Sequence, residues 1–78
     1  MKDEKEKELL SKAVDEFAQA MKDKLFAKIA WRGWRQKRYY KQFQSDMNKH
    51  VIRQFSVGNQ EVDIANYAMF IWHLNRTK

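Results

Sequence analysis

Apolar residues fall at Leu10, Val14, Phe17, Met21, Leu25 and Ile29, steps of three or four that place them on one side of a helix, with Ala13 and Ala20 beside them. The spacing predicts a long first helix. Asp3 is placed to cap its start, because a side-chain carboxylate accepts hydrogen bonds from free first-turn amides. Glu4, Glu6 and Glu8 suit the positive end of the helix dipole. Gly33 ends the pattern, and the stretch from Arg32 to Arg38, which has the weakest periodicity in the chain, is assigned to a loop.

A second helix is expected from Ser45, read as its N-cap, to Phe55, with Met47, Val51 and Phe55 at intervals of four and Ile52 adjacent. Gly58 is the natural left-handed residue after it. From Glu61 to Asn75, Val62, Ala65, Met69 and Trp72 share one face, with Ile64, Ala68 and Ile71 close to it. This third helix is apolar over more than half its circumference, so Tyr67, Phe70 and Leu74 are left to meet another surface. No strand is needed. The expected fold is all-α, with three helices in a single domain over residues 1–78.

Composition adds one requirement. The chain has 78 residues with no cysteine and no proline, so neither disulfides nor thiolate metal sites staple it. A domain below about 80 residues has little interior, and self-association into a homo-oligomer is the remaining way to complete its core. No stretch approaches the roughly 20 apolar residues of a membrane span, and the opening "MKDEKEKELL" has charges where a signal peptide needs apolar residues. The expectation is a cytoplasmic protein with no membrane partner.

Charge is distributed unevenly. Residues 1–23 hold five lysines and seven acids, whereas residues 24–53 hold nine lysines or arginines against Asp46 alone. A segment of one sign attracts anions: a nucleotide, a nucleic acid or an acidic protein. At its centre lies "WRGWRQKRYYKQ", where Arg32, Arg35, Lys37, Arg38 and Lys41 alternate with Trp34, Tyr39 and Tyr40. Guanidinium groups pair with phosphate through two hydrogen bonds, and tyrosine rings stack on bases. Lys24 and Lys28 extend the positive surface or offset the negative end of the first helix dipole. The candidate ligand-binding set is Lys24, Lys28, Arg32, Trp34, Arg35, Lys37, Arg38, Tyr39, Tyr40 and His50.

Several of these residues admit structural roles. Trp34 either stacks on a ligand or folds back into the core with its indole N–H on Asp63 or Asn66. Asp63 and Asn66 fall in the first turns of the third helix and can bond loop amides there. His50 and His73 are core histidines or ligand contacts. The histidines lack the spacing of a zinc helix, the serines have no neighbouring base, and the two glycines, 25 positions apart, form no local phosphate loop. No catalytic residue, metal site or cofactor is expected.

The stretches "FAQAMKDKLFAK", "GW", a lone histidine before a glycine turn and "VDIANYAMFIWH" resemble small phage proteins and phage-protein terminal modules with the pattern FAEAMKxKLxxK…GGW…H…G…DVANxAMMxxH. The matching positions are Phe17, Met21, Lys24, Leu25, Lys28, Gly33, Trp34, His50, Gly58, Asp63, Ala65, Asn66, Met69 and His73, and the segment from Gln36 to Gln44 departs in being more basic and aromatic. The resemblance implies a viral accessory protein in the host cytoplasm. These modules are distantly similar to all-α pyrophosphohydrolases of the MazG type, which hold magnesium with acidic clusters on two helices. Here Gln19 and Ile64 stand where acids of those clusters would fall. The expected function is binding of a nucleotide-type ligand without turnover, such as sequestering a nucleotide signal of host immunity. Alternatives are a DNA- or RNA-binding module, an inhibitor that docks on an acidic host protein and, behind these, a degenerate nucleoside triphosphate pyrophosphohydrolase.

Overall fold

The computed structural model describes residues 2–27 and 32–76, and Lys28 of the candidate set lies outside them. The fold is all-α: helix α1 runs over Lys2–Phe26, α2 over Tyr40–Ser56 and α3 over Glu61–Arg76. A 3-10 turn over Lys37–Tyr39 leads into α2. None of the helices described is long and apolar enough to cross a membrane.

Helix α2 begins five residues before the expected cap, so Ser45 lies in its second turn. The reason is the 3-10 turn, which already has helical geometry and passes the chain into Tyr40 without a side-chain cap. Asp3 likewise sits within the first turn of α1. The α2–α3 connection follows its turn residues. Gly58 takes φ 83° and its N–H donates to the Arg53 carbonyl at 3.2 Å, an arrangement that closes a helix C-terminus. Asn59 follows at φ 61°, a left-handed geometry asparagine tolerates better than most residues. The Gln60 amide then donates to the Gln54 side chain at 2.7 Å, and its carbonyl accepts from Ile64 at 2.9 Å, starting α3.

Helices α2 and α3 form an antiparallel hairpin: Phe43 packs on Phe70 with ring centroids 4.9 Å apart, and His50 stacks on Tyr67 at 5.4 Å. Helix α1 crosses only the first half of α3, where Lys24 meets Asp63 and Met21 meets Asn66. Phe70 and Leu74 are the buried apolar residues among those described. They are the ones assigned from sequence to an outside surface, while Trp72, assigned to the core face, is 57% exposed with the Arg76 guanidinium 4.4 Å from its ring centre. Because α3 is apolar over more than half its circumference, its periodicity does not choose a face; the rings of Trp34 and Phe43 do, by packing on Phe70. The first helix is corrected too. Leu10, Val14 and Phe17 are exposed, and α1 meets the rest of the fold only around Met21 and Leu25.

Candidate functional site

Two helical faces and the end of a third enclose a cleft of about 620 Å³. On α2 and the turn before it the wall is Tyr39, Phe43, Asp46 and His50, at steps of four, three and four. On α3 it is Asp63, Asn66, Tyr67 and Phe70, at steps of three, one and three. Each set is one helical face on which aromatic and polar residues are mixed. Lys24 and Leu25 of α1, Gln42 of α2 and Arg32 of the loop complete the lining. The volume is that of a small-molecule site, which is normally an apolar cleft with a few fixed polar groups.

Hydrogen bonds hold the polar residues in set orientations. The Lys24 ammonium lies 2.7 Å from Asp63 Oδ2, joining α1 to α3. Gln60 Nε2 donates to the Gly58 carbonyl, which turns Gln60 Oε1 toward His50 Nδ1 at 2.7 Å. That oxygen only accepts, so Nδ1 carries the hydrogen. His50 Nδ1 also lies 3.9 Å from Asp63 Oδ2. Asp46 Oδ1 accepts from Gln42 Nε2 at 3.0 Å. Tyr67 stays protonated to higher pH than an ordinary phenol, first because it is partly buried and then because the carboxylates of Asp46 and Asp63 oppose a further negative charge.

Asn66 differs from its neighbours. It is 5% exposed, its Nδ2 donates to the Met21 carbonyl at 3.3 Å, and its Oδ1 is buried with no hydrogen-bond partner. A buried acceptor left unpaired costs about 1–3 kcal/mol, so its retention in so small a fold asks for an explanation.

The candidate set from sequence divides. Lys24, Arg32, Tyr39 and His50 line the cleft. Trp34 does not: it folds back onto Phe70 and His73, with centroids at 5.6 and 4.7 Å, completing the core. The indole bond expected to Asn66 is not made, since Asn66 Oδ1 has no partner, and Asp63 Oδ2 pairs with Lys24 instead. Arg35, Lys37 and Arg38 are exposed outside the cleft. Arg38 is fixed over the Tyr39 ring, 4.9 Å from its centre, and donates to its hydroxyl at 3.1 Å. Tyr40 and Lys37 border a second, smaller hollow of about 310 Å³ with Leu74 and Asn75.

Sequence reading passed over Gln42, Phe43, Asp46 and Tyr67 as site residues. The signal that finds them is the interruption of an apolar helical face by acids and amides at helical spacing, in Tyr39–Phe43–Asp46–His50 and again in Asp63–Asn66–Phe70. No family model matches the chain, and no curated protein or solved structure matches it.

The charged residues of the cleft balance, with Lys24 and Arg32 opposed by Asp46 and Asp63. A bare anion therefore gains little there beyond the field of the surrounding basic segment. A ligand with both an aromatic ring and an anionic group uses more of the site, since the rings of Tyr39, Phe43, Tyr67 and Phe70 lie beside the two cations.

Proposed function

We propose that the cleft binds a nucleotide-type ligand and holds it without chemical turnover. The observation that carries this reading is the joining in one cleft of four aromatic rings with Lys24 and Arg32, a stacking surface next to phosphate-binding cations. Non-catalytic binding fits the replacement of acids by Gln19 and Ile64 in the magnesium pattern of the pyrophosphohydrolases it distantly resembles. In the phage setting that the resemblance implies, the use of such a protein is to sequester a nucleotide signal of host immunity in the cytoplasm. A homo-oligomer suits that role, since the exposed side chains of α1 give copies a surface on which to meet.

A thermal-shift panel of linear and cyclic nucleotides, ADP-ribose derivatives, short single strands and duplexes tests the reading. A ligand that binds only the folded state, present at about one hundred times its dissociation constant, adds about 2.7 kcal/mol and moves the melting temperature of a domain this size by several degrees. The expected result is stabilisation by one nucleotide class, recovered intact. Release of pyrophosphate with magnesium would make the protein an enzyme.

A second reading is favoured by the exposure of Arg35, Lys37 and Arg38 outside the cleft: these cations suit a nucleic-acid backbone. In that case only oligonucleotides stabilise the protein, and affinity falls by roughly 0.7–0.9 log units per log unit of salt for each phosphate neutralised. Stabilisation by neither class would turn attention to an acidic host protein as partner.

A further inference from the structure

The geometry points to a directional site in which the inner wall of the cleft reads the hydrogen-bond-donating edge of a nucleobase, with Asn66 Oδ1 as the accepting atom. This rests on the nucleotide reading above and adds which end of the ligand goes where. The base enters among the rings with an exocyclic amino group toward Asn66, and the phosphate lies toward Lys24 and Arg32.

The orientation of the amide decides it. Asn66 Nδ2 faces the Met21 carbonyl, so the oxygen faces the other way; the reverse assignment would set two oxygens against each other. The Met21 carbonyl lies inside α1, where the helical ladder already supplies it with a donor, and the 3.3 Å bond from Asn66 is long. That bond alone does not account for an amide at a position more than nine-tenths buried. Oδ1 presents less than 1 Å² to solvent, so water does not satisfy it. A donor that reaches Oδ1 from the cleft Asn66 lines gains a bond water does not make there.

A second acceptor faces the same space from the opposite helix. Asp46 uses Oδ1 for Gln42 and keeps a second carboxylate oxygen, and it lines the cleft with Asn66. Acceptors on both walls favour a ring that donates. They disfavour a ring edge made only of acceptors, whose lone pairs would meet theirs.

The test varies the ligand on the unmodified protein, so folding is not in question. Binding of adenosine 5′-monophosphate is compared by calorimetry with that of purine riboside 5′-monophosphate, which lacks only the amino group. Cytidine 5′-monophosphate is compared in the same way with its 2-pyrimidinone analogue. In at least one pair the amino-bearing member is expected to bind about tenfold tighter or more, as for loss of one hydrogen bond to a buried acceptor. Asn66→Leu removes both polar ends of the amide; it is expected to fold, and to bring the tighter member down to the affinity of its partner. Equal affinities within both pairs would overturn the inference and leave the nucleotide reading standing. Discrimination retained by Asn66→Leu would also overturn it, by removing Asn66 as the reader. Failure of all four to bind while another nucleotide class of the panel stabilises the protein would overturn this inference alone, and failure of every nucleotide class of the panel would overturn the nucleotide reading with it.

Discussion

Lys24 and Asp63 are 39 positions apart in sequence, and their charged atoms are 2.7 Å apart in the fold. The pair does two things at once: it ties α1 to α3, and it stands in the cleft lining. Its side chains are 46% and 22% exposed, so in water-screened surroundings the tie is worth only about 0–1 kcal/mol. The two partners should therefore separate in a binding assay. Lys24→Ala is expected to lower stability by less than about 1 kcal/mol but to weaken nucleotide binding by about tenfold or more, through loss of a charged hydrogen bond to phosphate. Asp63→Asn releases the ammonium from its carboxylate and is expected to hold or raise that affinity. Denaturant unfolding and titration with adenosine 5′-monophosphate read both quantities, and equal weakening by the two substitutions would make the bridge purely structural.

The two glycines make a second comparison. Both have left-handed backbones, Gly33 at φ 82° and Gly58 at φ 83°, so alanine at either position costs about 1 kcal/mol. Their surroundings differ. A Cβ on Gly58 meets nothing within 4 Å, whereas one on Gly33 comes within 3.2 Å of Tyr39 Cε2, in the cleft wall. Gly33→Ala and Gly58→Ala are expected to lose similar stability by thermal unfolding. Only Gly33→Ala should change ligand affinity, because the contact displaces the Tyr39 ring.

How far such features can be read from the sequence depends on the kind of interaction that fixes them. The α2–α3 turn was legible because Gly58 supplies a backbone geometry by itself. The start of α2 was not, since Ser45 has the chemistry of a cap while the actual entry through Lys37–Tyr39 uses none. The buried face of α3 was misread because apolar residues cover more than half of that helix, and only partners distant in sequence, Trp34 and Phe43, pick out Phe70. For the site, Lys24, Arg32, Tyr39 and His50 were legible as cations, ring and imidazole near the basic centre. The unpaired oxygen of Asn66 was not, because it exists only once Met21 has claimed the other end of the amide.

Tyr67 gives the fold a dependence on alkaline pH. Burial foremost, and then the charges of Asp46 and Asp63, raise its phenol above the ordinary value of 10.0. The folded state thus holds the proton more tightly than the unfolded chain. The associated stability is fully present below about pH 10 and is lost as pH rises through the folded value, because the unfolded chain ionises first. Urea unfolding of the native protein and of Tyr67→Phe on both sides of about pH 10 isolates this effect from the titration of lysines. The native protein is expected to lose stability more steeply than the variant, and parallel curves would assign the loss to other groups.

Helix α1 poses the last question, since residues 2–17 are exposed throughout. Leu9, Leu10, Val14 and Phe17 are 53%, 65%, 65% and 40% exposed, on a segment that no other helix among the described residues covers. An isolated helix of such length is marginal in water, because nucleation is costly and propagation repays it slowly. Leu10, Val14, Phe17 and Met21 follow one another at steps of four, three and four, the spacing of a helix-pairing seam, and α3 takes up that seam only at its Met21 end. The expected occupant of the rest is a second copy of the chain. Phe70 has no part in this interface, being 6% exposed within one chain. Helix content by circular dichroism is expected to rise with protein concentration, in step with a light-scattering mass above 9.5 kDa. Leu10→Glu with Val14→Glu should give a monomer with a frayed α1 while the α2–α3 hairpin and the Trp34 packing stay intact. A monomeric native protein whose helix content is the same at all concentrations would mean that α1 holds as a single helix without a second copy.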